Sequence, residues 1–467
     1  MPNEPDKPLK LTVADLFHKR SANDVVQNDT APYSDRQPGL HAAEPVEEPA
    51  DWVTPRPVRT PATTSQRRPK NVLHVRVVTG CGGGPDKTIL RSPRYADPNR
   101  YTMAAAYIYP QGDPGMCVIR HHARQLGCPL YEIAEAHALD LNTIRALIEL
   151  CRELKVDIWH GHDYKSNLLG LILKRFHAMK LVTTAHGFTR ETWRTRLYYH
   201  VDNLAMLGYD QVIAVSPRLI KHCAYHGIHP DRLTLIANAI DTQEYTRSRS
   251  TTDAKKELGL PTDRFAIGVI GRLSIEKGQD RAIRMLPGLL RAIPNAELHL
   301  IGDGPMKNAW KHLADELGVG HAIRWWGWQT DARPVYEMLD LLLLPSRTEG
   351  LPNVVLEAMA MGVPVAATHV GGVPVLLDRG DCGLILHEDD QRWAGQLIPL
   401  IKRESLRESY ADLALRRVRE SYNFQQRMQR VMRVYDKALG IRTPDNSDAS
   451  LPPQDADASP PRQSLAA

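Results

Sequence analysis

The chain reads as an α/β protein: two parallel-sheet domains facing a cleft, with a polar tail at each end. Three observations predict this. Short apolar strands alternate with helical stretches between Asn71 and Leu439, the pattern of parallel sheets covered by helices on both faces. A second opening strand, Phe265-Ala266-Ile267-Gly268-Val269-Ile270, repeats the role of the first, Val72-Leu73-His74-Val75-Arg76-Val77-Val78, and marks a second domain. The two ends are rich in Pro, Asp, Glu, Thr and Ser and hold too little apolar surface to offset chain entropy.

Taken in order, residues 1–70 read as a disordered tail, relieved only by an amphipathic hint at Leu9 to His18. Residues 71–238 form the first domain. After its opening strand comes a helical run from Leu139 to Leu154, then strands at Asp157–His160, Leu181–Thr184 and Gln211–Val215. Asn238-Ala239-Ile240-Asp241 is the join. Residues 239–422 form the second domain, with strands at Phe265–Ile270, Glu297–Ile301, Ile323–Trp326, Leu341–Leu344 and Pro364–Ala367. An amphipathic helix over residues 423–440 is expected to return to the first domain, and residues 443–467 read as a second disordered tail.

Bulk properties exclude several classes. A chain of 467 residues has room for two or three domains. A net charge of +5 is too small an excess to indicate nucleic acid. The absence of an 18-residue apolar run predicts no membrane span, and the first residues carry no signal-peptide pattern. The six cysteines include no CxxC pair, which argues against structural zinc and for a reducing cytoplasm.

The chemistry concentrates at strand ends. Glu349 and Glu357 flank Pro352 just after the strand Leu341–Leu344. This places two carboxylates at the carboxyl end of a strand and the start of a helix, where open α/β sheets bind ligands and helix termini attract phosphate. Carboxylates there suit sugar and ribose hydroxyls. Arg272 and Lys277 follow the second domain's first strand, and such a pair of cations suits a diphosphate. Gly302-Asp303-Gly304-Pro305 reads equally as a plain turn or as backbone kept bare for a ligand. Thr79 to Thr88 resembles a phosphate loop, but Asp86 stands where a glycine is needed, and Pro85 spoils a dinucleotide fingerprint. Gly82 and Gly83 are read as lining the cleft from the first domain. His186 ends a strand and aims at the reacting group. His160-Gly161-His162-Asp163 lacks a third partner for metal, and His162 and Asp163 are read instead as acceptor contacts. Arg190 to Tyr199 mixes cations with aromatics and reads either as an ordinary helix surface or as an anionic-acceptor or membrane face.

Together Gly271-Arg272-Leu273, Lys277-Gly278, Gly302 to Pro305, Glu349-x7-Glu357 and Asn238 to Asp241 resemble the retaining nucleotide-sugar glycosyltransferases of the GT-B fold, family four (glycosyl transferases group 1). The resemblance covers about Asn71 to Leu439 and is most specific from Arg272 to Pro374. It implies two Rossmann-like domains. Arg272 and Lys277 would hold the donor diphosphate, Glu357 the ribose, and Glu349 the donor sugar, helped by the amides of Gly350 and Leu351. His186 would be the active-site histidine, and backbone near Trp328 would meet the base. Ala239 departs from the family's usual glycine.

The implied substrate is an NDP-sugar, with no metal or cofactor. The acceptor is unknown, lipid-linked or glycan. The implied setting is surface polysaccharide or glycolipid assembly, in the cytoplasm or at the inner membrane face through peripheral contact, without nucleic acid. Two rivals stay open: a nucleotide-sugar epimerase of the same architecture, and a non-catalytic nucleotide-sugar-binding subunit. Donor sugar, base and oligomeric state are not legible.

Overall fold

The computed structural model describes residues 68–137, 140–186 and 193–441. The expected terminal tails, the Leu9–His18 segment and the start of the Arg190–Tyr199 patch lie outside the described residues, apart from the chain just before the first strand. That strand takes in Lys70, a position the composition had placed in the tail.

Seven parallel strands form the first sheet: β1 (Lys70–Val77), β2 (Tyr101–Pro110), β3 (Leu130–Glu135), β4 (Ile158–Gly161), β5 (Lys180–Ala185), β6 (Gln211–Ala214) and β7 (Leu233–Leu235), in the order β3-β2-β1-β4-β5-β6-β7. The second sheet has six: β8 (Phe265–Ile270), β9 (Ala296–Ile301), β10 (Ile323–Gly327), β11 (Leu341–Leu344), β12 (Val365–Thr368) and β13 (Leu384–Leu386), in the order β10-β9-β8-β11-β12-β13. Both are doubly wound, reversing strand order beside β1 and β8, and that reversal opens a crevice at the strands' carboxyl ends.

Strand alternation sorts the core into layers. Leu73 and Val75 of β1 pack with Leu147, Leu169 and Leu173 on one face of the first sheet. Val72 turns to the other face, where Met428, Val431 and Tyr435 cover it together with Ile158 and Val182. Those covering residues lie on the last helix, Phe424–Leu439. Asn423 caps it through Gln425 N–H at 2.8 Å, and Gly440 ends it with φ 68°. The helix therefore belongs to the first domain's core. Its Asp436 carboxylate accepts from Arg100 at 2.6 Å and from the Tyr101 hydroxyl at 2.7 Å.

The chain crosses between the domains twice, and the crossings are zipped together. Ile240 N–H donates to the Tyr422 carbonyl at 2.9 Å, and Phe424 N–H donates back to Ile240 at 3.1 Å. Ala239 is buried in the first domain's core. Four strands escape the sequence reading. β2, with its Tyr-Thr-Met-Ala-Ala-Ala run, and β3 carry weak β signals, while β7 and β13 are three-residue edges.

Candidate active site

In the second domain, three strand-end loops lock together. Arg347 clamps the loop after β8: its guanidinium holds Asp280 at 2.6 and 2.7 Å and the Ile275 carbonyl at 2.8 Å, and its N–H donates to Glu276 at 2.8 Å. Gly278 has φ 69°, and a Cβ there would fall 2.2 Å from the Pro345 carbonyl oxygen. This close packing delivers Lys277 to Glu349, with Nζ at 2.8 and 3.0 Å from the two carboxylate oxygens. The Ser346 hydroxyl adds a third hydrogen bond at 2.7 Å. Gly371 then seats the loop after β12 on the Glu349 carbonyl, 2.1 Å from where its Cβ would stand.

The glycines of Gly302-Asp303-Gly304 serve a different neighbour from the ligand envisaged above. A Cβ on Gly302 would fall 2.1 Å from the Gly271 carbonyl oxygen, and one on Gly304 2.4 Å from that of Leu273. They let the loops after β8 and β9 touch backbone to backbone, which sets the path of Arg272. That side chain is exposed and makes no hydrogen bond or ion pair among the described residues. The helix Asn353–Ala360 begins beside Glu349. The amides of Gly350, Leu351, Asn353 and Val354 donate to no protein group among the described residues, leaving a helix N-terminus open to an anion. The Leu351 carbonyl is taken by Asn238 Nδ2 at 3.0 Å, and its side chain is buried. Trp328 is exposed, just beyond β10.

Glu357 lies one turn into the same helix, 1% exposed. It accepts from the Tyr336 hydroxyl at 2.9 Å and pairs with Lys87 at 2.5 Å. Lys87 lies in the helix Gly84–Arg91 of the first domain, within the glycine-rich stretch dismissed above as a phosphate-loop decoy. Burial disfavours its charge, but the Glu357 carboxylate more than offsets that and raises its pKa. The decoy's failing residue, Asp86, has a structural task. It accepts from Gly83 N–H at 2.6 Å and from the Tyr107 hydroxyl at 2.9 Å, and pairs with Arg76 at 2.7 Å. Gly82 has φ 77° and approaches that carboxylate, while Gly83 caps the helix Gly84–Arg91. Asn353 Nδ2 donates to the Gly84 carbonyl at 3.0 Å. The glycine-rich loop therefore meets the second domain at the start of the helix that carries Glu357.

The histidines also require correction. The missing third partner of His160 and His162 exists: it is His74, on the adjacent β1, and the three offer ring nitrogens within 4.8 Å of one another. The rings are nonetheless bonded to each other. His74 Nδ1 meets His162 Nε2 at 2.9 Å, and His162 Nδ1 meets His186 Nε2 at 3.1 Å. His160 is engaged at both nitrogens, by Tyr435 at 2.7 Å and Thr184 at 2.8 Å. Burial, with Arg427 adding to it, pushes His74 down to about 3, and burial also holds His160, His162 and His186 well below the usual histidine range. A dication here would have to displace hydrogen bonds between these rings under the repulsion of two guanidiniums, Arg76 and Arg427, so the group is poorly suited to metal. Asp163, read above as an acceptor contact, has a structural task. Its carboxylate caps the helix Tyr164–Leu173 and accepts from Val77 N–H at 2.7 Å. Tyr198, part of the aromatic patch, stacks on Tyr164 with ring centroids 4.7 Å apart.

His186 directly follows β5 and lies against the second domain, where a Cβ on Gly350 would fall 2.7 Å from its carbonyl oxygen. Thus His186, Gly350, Glu349, Ser346 and Lys277 are contiguous. On the other side of the same helix start, Asn353 meets Gly84 and Glu357 meets Lys87, and the Arg272 side chain has no partner among the described residues. Lys87, Tyr336 and His74 were missed. Only the position of Lys87 beside a glycine run could have pointed to it.

Comparison with known proteins agrees with this layout. Residues 250–417 match the family described as Glycosyl transferases group 1, and residues 74–244 match Glycosyltransferase Family 4. The chain is 28% identical over 324 residues to the D-inositol 3-phosphate glycosyltransferase of Corynebacterium aurimucosum, covering 63% of this chain and 75% of that protein. It is also 28% identical over 315 residues to the N-acetyl-alpha-D-glucosaminyl L-malate synthase of Bacillus anthracis, covering 66% and 80%. Among solved structures, Anabaena Alr3699/HepE in complex with UDP-glucose superposes with a TM-score of 0.67 at 20% identity over 78% of this chain and 99% of that one. That likeness establishes a shared two-domain fold.

Proposed function

We propose that this chain, a glycosyltransferase of GT-B architecture, moves a sugar from a nucleoside-diphosphate donor to an acceptor hydroxyl with retention of anomeric configuration. The observation that carries the reading is the cationic, amide-rich mouth of the second domain: Lys277 on Glu349, and, among the described residues, an Arg272 side chain without a partner and four amides without an acceptor around the start of the helix Asn353–Ala360. Such a mouth suits a diphosphate leaving group, whose growing charge fixed donors stabilise without reorganisation. Anabaena Alr3699/HepE, solved with UDP-glucose, shows the same fold holding a donor of this class.

In this reading Arg272 and Lys277 hold the diphosphate, and Glu357 takes ribose hydroxyls in place of part of its contact with Lys87. Glu349 binds donor-sugar hydroxyls. Three hydrogen bonds to Lys277 and Ser346 already engage its carboxylate, which makes it a poor covalent nucleophile. The acceptor hydroxyl enters on the leaving-group face, and a phosphate oxygen receives its proton. Two protein cations supply the neutralisation for which other phosphate chemistries use a metal, so no metal or cofactor is required. Contact of the two domains at Gly350 and His186 excludes water from the sugar. We assign the acceptor to surface polysaccharide or glycolipid assembly on the cytoplasmic side. No described helix is long and apolar enough to cross a membrane.

The test is sugar transfer by Lys277→Ala and Glu357→Ala, after a thermal-shift screen of nucleoside diphosphates identifies the donor class. Loss of Lys277 should lower kcat by about 10²–10³, and loss of Glu357 should mainly weaken donor binding. Unchanged rates and affinities in both would refute the assignments. Isomerised donor in the absence of any acceptor would instead support an epimerase, a reading that the transferase names of the relatives do not favour.

A further inference from the structure

A continuous line of hydrogen bonds runs from beneath the last helix to His186. Thr184 Oγ1 meets His160 Nε2 at 2.8 Å, and His160 Nδ1 meets the Tyr435 hydroxyl at 2.7 Å. That hydroxyl lies 3.5 Å from His74 Nε2. His74 Nδ1 meets His162 Nε2 at 2.9 Å, and His162 Nδ1 meets His186 Nε2 at 3.1 Å. The participants from Thr184 to His162 are buried. His186 Nδ1 has no partner among the described residues, which leaves it as the ring nitrogen available to a ligand.

A neutral imidazole carries one N–H. When neutral rings bond in series, each must donate in the same direction, so the series has only two complete arrangements. Charged rings are disfavoured here by burial and by the guanidiniums of Arg76 and Arg427. The choice between the two arrangements falls to the far end. Thr184 is 2% exposed, and its hydroxyl has no acceptor other than His160 Nε2 among the described residues. A buried hydroxyl proton without an acceptor is costly, whereas an unused oxygen lone pair costs less. Thr184 therefore donates. His160 then carries its proton on Nδ1 and donates to the Tyr435 oxygen, and the Tyr435 proton points to His74 Nε2. His74 donates from Nδ1 to His162, and His162 from Nδ1 to His186.

We propose that this chain, anchored by the Thr184 hydroxyl, fixes His186 as its Nδ1–H tautomer, so that the ring presents a hydrogen-bond donor and not a base to the sugar. Thr184, His160, Tyr435, His74 and His162 are positioning residues. The chemical consequence rests on the transferase reading above. There it means that His186 donates to a sugar or phosphate oxygen, and that acceptor deprotonation falls to the phosphate. The tautomer itself does not depend on that reading.

The test is long-range nitrogen–proton NMR on the full chain labelled with ¹⁵N-histidine, near neutral pH and without substrate, with the His186 signals assigned by their loss in His186→Gln. The expected wild-type result is a proton on Nδ1 and none on Nε2. The reverse pattern, or averaging between the two, overturns the proposal. Thr184→Val should bring averaging, and Thr184→Ser should keep Nδ1–H. A Thr184→Val spectrum identical to wild type removes Thr184 as the anchor and also overturns it. Because no substrate enters the measurement, a chain inactive in sugar transfer would count against the function and leave this result standing.

Discussion

Deleting the ammonium of Lys87 should expose how the two domains are held in register. The perturbation is Lys87→Met, which keeps an apolar stem near the Tyr245 ring, whose centroid lies 6.0 Å from Nζ, and removes only the charge. Its partner Glu357 is 1% exposed and would keep one hydrogen bond, from Tyr336 at 2.9 Å. Breaking a fully buried ion pair by removing one member costs about 3–5 kcal/mol, while an exposed pair contributes about 0–1 kcal/mol. The lysine side chain is 42% exposed, so water reaches one end of the pair, and the cost should lie between those limits at about 2 kcal/mol. Urea unfolding of wild type, Lys87→Met, Glu357→Gln and the double variant then gives a coupling energy, expected at about 1–2 kcal/mol. Because the folded pKa of Lys87 is raised, this contribution is fully present below the unfolded lysine value of about 10.4 and is lost only as pH climbs through the higher folded value. The cycle should thus be flat around neutrality. A coupling below about 0.3 kcal/mol, the usual scatter for independent sites, would refute the bridge between the helix Gly84–Arg91 and the Glu357 helix.

Gly302→Ala should lower the urea midpoint and weaken donor binding, because its Cβ would stand 2.1 Å from the Gly271 carbonyl at a backbone φ of 137°; strain of this kind costs about 1–3 kcal/mol, and an unchanged midpoint would contradict the loop contact. Stability should fall on acidification from pH 7 to 5, since His74 is pushed down to about 3 and its chain neighbours are also lowered: the unfolded chain binds protons near pH 6.5 that the folded chain refuses, giving a slope of up to about 1.4 kcal/mol per pH unit per group, and a level urea midpoint over that range would mean these rings are not held neutral. Asp436→Ala should loosen the last helix by about 2–3 kcal/mol, as it strips the acceptor from Arg100 and from the buried Tyr101 hydroxyl; hydrogen exchange concentrated in Phe424–Leu439 would support this, and wild-type protection there would not.

Local pattern was enough for much of the architecture. β8 and β11 are bounded in the structure as the apolar runs Phe265–Ile270 and Leu341–Leu344 suggest, because a strand buried on both faces must be apolar throughout. The strands missed were those whose residues carry a weak β signal alone. β2 becomes a strand because β1 and β3 pair with it on either side, a condition set by neighbours far along the chain. The candidate site divides in the same way. Glu349, Glu357, Arg272, Lys277 and His186 all follow strands or start a helix, so spacing could single them out. His74 carried no such signal and Lys87 only its place beside a glycine run, since each matters through a partner distant in sequence.

The sequence by itself determined the two parallel-sheet domains, the strand-end loops that carry the charges, and the return of the last helix, because apolar periodicity and turn chemistry act over a few residues. Only the tertiary structure decided that Lys87 reaches Glu357, that the glycines of the β9 loop serve the β8 loop, and that four histidines and a tyrosine join into one line. Those outcomes depend on which buried polar groups come within hydrogen-bond reach once the sheets are assembled. Desolvation then compels them to pair, whatever their separation along the chain.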